Sequence, residues 1–137
     1  MTLTKIRWSD KLSIGNRVMD NDHQSLIEIY NNLVDFMETN GNRNDFAAIL
    51  SKMTDYSLAH FKKEEAYMEE IAYPELNKHI RLHGEYIYKI AMFNYDLLGA
   101  NPPDPGDIIK FLEKWWQSHI LSVDIKYEKL KKGKIIG

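Results

Sequence analysis

One stretch, HFKKEEAYMEEIAYPELNKHIRLH from His60 to His83, constrains the fold of this chain more than any other. His60 and Glu64 stand four residues apart, Tyr73-Pro74 interrupts, and His79 and His83 again stand four apart. Residues at i and i+4 lie above one another on one face of an α-helix. The stretch therefore predicts two helices joined by a tight turn, each presenting a pair of donor side chains. Three of the five histidines lie here, and the remaining chain must be a scaffold that brings His23 and His119 to the same place.

The apolar periodicity supplies that scaffold. Leu26, Ile27, Tyr30, Leu33, Val34 and Met37 predict a first helix over about 19–39, with Asp20 as its N-cap and His23 on the same stripe. Asn40-Gly41-Asn42 is a turn. Phe46, Ile49, Leu50, Met53, Ser57, His60, Glu64, Tyr67 and Ile71 mark a second helix over about 44–72. A third, over about 74–98 with Pro74 in its first turn, has Leu76, His79, Ile80, His83, Ile87, Ile90, Asn94 and Leu97 on one side. After a Pro- and Gly-rich loop, Asp104 caps a fourth helix over about 105–132 that carries Ile108, Leu112, Trp115, His119, Ile120, Val123, Tyr127 and Leu130 and stops at Gly133. Residues 1–18 lack this period and read as an irregular arm packed by Trp8. The expectation is an all-α chain, one domain over 1–137, folded as an antiparallel up-down-up-down four-helix bundle.

At 137 residues the chain can bury a core without a metal or disulfide as a folding staple, so a metal constellation would serve function. With no cysteine there is no thiolate or disulfide chemistry. A net charge of −2 offers no face for nucleic acid, and Lys129, Lys131, Lys132 and Lys134 suit the C-terminal end of a helix dipole. No secretory signal and no apolar run of membrane-spanning length is present, which makes the cytoplasm the expected compartment.

In an antiparallel bundle the start of helix one, the end of two, the start of three and a late position in four share one level. All five histidines and Glu64 thus fall in one layer on core-facing stripes. A lone histidine there is ordinarily a hydrogen-bonded core residue; a whole layer would leave many polar groups unpaired, at about 1–3 kcal/mol each. Structural zinc has no use for five imidazoles, and calcium and magnesium prefer oxygen donors. Imidazole with carboxylate suits iron, and also copper, nickel or zinc. A second carboxylate is expected from the fourth helix. Asp124 follows His119 by five residues, about 140° around an ideal helix, so it reaches the same site only from the far side or through a local bulge.

These residues give the chain a resemblance to the hemerythrins, most closely the single-domain bacterial members. It covers Trp8 and Ile14-Gly15, Asp20-x-x-His23-x-x-Leu26, His60-Phe61-x-x-Glu64-Glu65, Tyr73-Pro74, His79-x-x-x-His83 and Trp115-x-x-x-His119-Ile120-x-x-x-Asp124. The resemblance implies two non-haem iron ions with an oxo or hydroxo bridge, and reversible dioxygen binding. His79, His83 and His119 would hold one iron and His23 and His60 the other, with Glu64 and Asp124 bridging. These donors and the single-atom bridge fill all but one of about twelve octahedral positions, and the vacancy falls on the iron with two histidines. Leu26, Phe61, Trp115, Trp116, Ile120 and Val123 are expected to line a dry pocket there.

Three positions depart from the family pattern: Trp116 stands where leucine is frequent, Tyr86 where phenylalanine is usual, and Asp22 where glutamine is common. The expected role is oxygen carriage, storage or delivery to an unidentified oxygen-using enzyme, by a monomer that binds rather than turns over. The alternatives are an oxygen- or redox-sensing or partner-docking domain, or a di-iron redox enzyme acting on peroxide or nitric oxide, or an iron store.

Overall fold

The computed structural model describes residues 3–39 and 41–136, with side chains through 133. Met1 and Thr2 of the arm, Asn40 of the expected turn and the Lys134 side chain lie outside the described residues. The helices are α1 (Arg17–Glu38), α2 (Arg43–Glu70), α3 (Leu76–Leu97), α4 (Pro105–His119) and α5 (Ile125–Ile136). A π-helical segment, Ile120–Asp124, joins α4 to α5, so the two form one rod. The architecture is a four-helix bundle with no strand among the described residues. No helix is long and apolar enough to cross a membrane among the described residues.

Local chemistry sets the helix ends. Asn16, not Asp20, caps α1: its side chain accepts from Met19 N. Asp20 instead pins the arm, accepting from Ser13 Oγ at 2.5 Å and Ile14 N at 3.0 Å. Asn42 caps α2 through Asp45 N, and Asp104 caps α4 through Gly106 N with Pro105 behind it. The α2–α3 turn is a Schellman motif: Ala72 N donates to Glu69 O and Tyr73 N to Met68 O. Ala72 has φ +55°, the left-handed region that favours glycine. Pro74 lies in this turn, two residues before the α3 start that it was expected to join. At the far end, α5 runs past Gly133 to Ile136.

The arm packs as expected, with Ile6, Leu12 and Ile14 buried and Trp8 against the core. Asn31 fixes it through paired 2.8 Å bonds to the Ile6 backbone, and Tyr30 Oη donates to Thr4 O at 2.6 Å. The core runs from Phe46, Leu50 and Leu33 at one end to Met68 and Tyr127 at the other. Ile80, placed by periodicity on the inner side of α3, is 39% exposed. It sits one position past His79, and the inner face of α3 is taken by His79, His83, Tyr86 and Ile90.

Candidate metal centre

His23 comes from α1, His60 and Glu64 from α2, His79 and His83 from α3, His119 from the last residue of α4, and Asp124 from the end of the π segment. All seven are buried, none more than 4% exposed. The π segment solves the angular problem of Asp124. Its i→i+5 bonding takes up one extra residue per turn, and this returns a five-residue offset to one face: Asp124 Oδ1 lies 2.9 Å from His119 Nε2.

The seven side chains form two overlapping groups, Glu64–His79–His83–His119–Asp124 and His23–His60–Glu64–Asp124, each with donor atoms within 4.8 Å of one another. The carboxylates divide their oxygens between the groups. Glu64 Oε1 lies 3.3 Å from His79 Nε2 and 2.9 Å from His83 Nε2, while Oε2 lies 3.6 Å from His60 Nε2. Asp124 Oδ1 lies 3.0 Å from His79 Nε2, while Oδ2 lies 3.1 Å from His23 Nε2.

Most of these approaches are not aligned as hydrogen bonds. His23 Nε2, His60 Nε2, His83 Nε2, Glu64 Oε1 and both Asp124 oxygens have no hydrogen-bond partner. Polar atoms that are buried, close and misaligned are pointed at common centres rather than at each other, and imidazole with carboxylate is a transition-metal donor set. The residues present fit a pair of cations.

Charge tells the same story for the metal-free protein. Burial pulls His60 and His79 down, but the adjacent carboxylates, Asp22 and Glu64 for the first and Asp124 and Glu64 for the second, push both up to about 9. Burial pushes Glu64 and Asp124 up, and Glu64 adds to this for Asp124, yet the surrounding imidazoles hold both below the usual carboxylate range. His119 goes the other way, lowered chiefly by burial. Protons on His60 and His79 thus stand in for the cations.

A family model described as "Hemerythrin HHE cation binding domain" matches residues 14–129. The chain belongs to the hemerythrin family. It is 30% identical over 121 residues to bacteriohemerythrin from Pseudomonas aeruginosa strain UCBPP-PA14, covering 88% of this chain and 77% of the relative. The bacteriohemerythrin of Stenotrophomonas maltophilia is 33% identical with the same coverage. The myohemerythrin of Riftia pachyptila is 26% identical over 88% of this chain and 89% of its own. A wild-type hemerythrin crystal structure superposes with a TM-score of 0.84 at 25% identity, covering 90% of this chain and 95% of that one.

Around its donors this hemerythrin places acceptors that the sequence did not reveal. Asp22 Oδ2 lies 2.9 Å from His60 Nδ1, and Lys63 Nζ donates to Asp22 Oδ1 at 3.1 Å. Glu65 Oε2 lies 2.8 Å from His83 Nδ1. Each carboxylate fixes a ring with Nε2 turned inward. Tyr127 Oη donates to Glu64 Oε2 at 2.8 Å; burial and the charges of Glu64 and Asp124 raise its pKa, so it remains a donor.

The six residues expected to line one pocket separate into two sets. Trp116 is buried, its ring 6.5 Å from His23, 6.2 Å from His60 and 5.6 Å from Phe61, so it faces the two-histidine group. Phe61 stands between the groups, stacked on His83 at 3.9 Å and 6.0 Å from His60. Leu26 and Ile120 are buried in the core. Trp115 and Val123 lie elsewhere: they line an outer cleft of about 260 Å³ with Leu82 and Phe111, and Trp115 stacks on His119 at 4.2 Å. Consecutive helical residues project about 100° apart, so Trp115 leans over His119 and Trp116 towards His23 and His60, while their rings meet edge to face at 5.0 Å and both pack on Phe61.

Trp116 also explains Tyr86. Trp116 Nε1 donates to Tyr86 Oη at 3.3 Å, which lies 3.0 Å from Ser57 Oγ, which donates to Met53 O at 2.7 Å. Ser57 has one hydroxyl proton and spends it on Met53, so Tyr86 is the donor to Ser57. This chain satisfies each of its members beside the two-histidine group.

Proposed function

We propose that this hemerythrin binds dioxygen reversibly at two iron ions, as a carrier or store that hands oxygen to an oxygen-using enzyme. One observation carries the reading: Glu64 and Asp124 each turn one oxygen to His79, His83 or His119 and the other to His23 or His60. That division suits two bridged metals, one held by His79, His83 and His119 and the other by His23 and His60. The iron pair would supply the electrons and the coordination position for dioxygen. The two-histidine side has one protein donor fewer, so a gas-sized ligand fits there.

The chain's own residues make binding reversible rather than destructive. Asp22 holds His60, and Glu65 holds His83, in the orientation that directs Nε2 inward. Trp116 and Phe61 fill the space beside the two-histidine side and exclude water. The hydrogens of Trp116 and Tyr86 are committed to the Ser57 chain, so neither is a free acid beside the ligand position of the kind a peroxide- or nitric-oxide-processing enzyme would use.

Visible spectra of iron-loaded, anaerobically reduced protein should gain a charge-transfer band on exposure to air and lose it on deoxygenation, over repeated cycles. Immediate irreversible oxidation would overturn the carrier reading in favour of a sensor or enzyme. Binding of fewer than two irons per chain would overturn the assignment of donors.

A further inference from the structure

We propose that Lys63 is a positioning residue that tempers oxygen binding, acting through Asp22 on His60. The inference rests on the two-iron reading above and adds to it a group that is not itself a metal donor. Lys63 Nζ lies 3.1 Å from Asp22 Oδ1 and 3.0 Å from Asp22 Oδ2. The same Oδ2 lies 2.9 Å from His60 Nδ1, so one carboxylate oxygen is shared between the imidazole and the ammonium. The three side chains descend from solvent in order: Lys63 is 52% exposed, Asp22 10% and His60 not at all.

Sequence and fold together place this relay. Lys63 follows His60 by three residues, a spacing that puts both on neighbouring positions of one face of α2. Asp22 immediately precedes His23 on α1. Each of the two helices thus brings one donor of the two-histidine group and one member of the ion pair behind it. On the other side of the centre Glu65 holds His83 at 2.8 Å, with no lysine or arginine paired to it among the described residues. The cation therefore stands behind the side on which a gas-sized ligand fits.

The chemistry gives the sign. An imidazole whose Nδ1–H is held by a carboxylate is a more basic ligand than one held by a neutral acceptor. A more basic ligand favours the oxidised metal, and binding dioxygen draws electrons from the iron pair, so Asp22 favours the oxygenated form. Lys63 draws charge from the same Oδ2 and weakens it as an acceptor. The ammonium thus offsets part of what the carboxylate contributes. A carrier that hands oxygen on must release it, and Lys63 keeps the affinity below the value that Asp22 alone would set.

Oxygen equilibrium curves and spectroelectrochemical titration of the iron-loaded protein test this, the second being readable whether or not oxygenation is reversible. Lys63→Gln should raise oxygen affinity about two- to fivefold, the range of a half-exposed ion pair, and lower the reduction potential of the iron pair. Lys63→Arg, which keeps the cation, should hold both near the wild-type values. Asp22→Asn keeps an acceptor for His60 but removes its charge; it should lower affinity at least about fivefold and raise the potential. In that background Lys63→Gln should change neither. A Lys63→Gln protein with the wild-type potential would overturn the proposal and leave the two-iron reading standing. An equal shift in the Asp22→Asn background would overturn the route through Asp22. Irreversible oxidation of the wild type would overturn the carrier reading, and the potentials would still decide the role of Lys63.

Discussion

Asp22 illustrates what a single side chain contributes here. It carries no electrons and faces no ligand, yet it fixes the imidazole of His60 through Nδ1. Acceptors of this kind are worth about 10–100-fold in metal affinity when removed. Asp22→Ala should therefore weaken the second metal equivalent by that factor in a competitive chelator titration, while the first binds as in the wild type. Glu65→Ala should do the reverse through His83. Trp116 acts by bulk. Trp116→Leu should open space beside His23 and His60, admit water and speed the decay of the oxygenated form by several-fold; identical decay in both proteins would remove Trp116 from the pocket. The histidines and Glu64 were legible in the sequence because polar residues on an apolar helical stripe cannot be solvated. Asp22 and Glu65 were not, because each sits beside a donor on a polar flank, where an acid ordinarily means solvent. Nor did the sequence separate Trp115 from Trp116: two adjacent aromatics read as one wall until their projections are known.

Helix positions came from periodicity, while their ends depended on local bonds that periodicity does not encode. Asp20 and Asn16 are both good caps by type; only the fold shows that Asp20 is occupied by Ser13 and Ile14. The α2–α3 turn holds a residue that pays strain: Ala72 adopts a conformation costing L-residues about 1–2 kcal/mol. Ala72→Gly relieves that strain and loses part of the gain to the more flexible unfolded chain. The net expectation is about 0.5–1 kcal/mol of added stability, a rise of a few °C in the thermal midpoint. Asp124 was the weakest donor by spacing because an ideal helix was assumed; the bulge that its function demanded is present as the Ile120–Asp124 segment.

For the molecule as a whole, the buried layer ties folding to pH and to metal. In the metal-free protein His60 and His79 titrate near 9 rather than at 6.5. A raised folded-state pKa contributes stability that is complete below about 6.5 and is lost as pH climbs through about 9. The metal-free protein should therefore show a falling thermal midpoint from about pH 7 to 9.5. With metal bound, no proton occupies those nitrogens, so this slope should vanish while the midpoint rises overall. Loading should also release protons, measurable in weakly buffered solution with a pH indicator. Equal slopes in both forms would mean that the two imidazoles are not protonated in the fold.

The π segment has one further consequence, which concerns counting. A rod that spends five residues where an α-helix would spend four holds one residue in excess, and removing it should leave a more regular helix. Deletion of Leu121, which is 44% exposed, should keep or raise helical content. Asp124 would then follow His119 by four residues, which also share a face on a regular helix, so Asp124 and Tyr127 should keep their places and binding of two metals per chain should persist. The irregularity thus absorbs one residue without disturbing the register on either side of it, and a frame-preserving loss of three nucleotides would straighten the rod and leave its donors together.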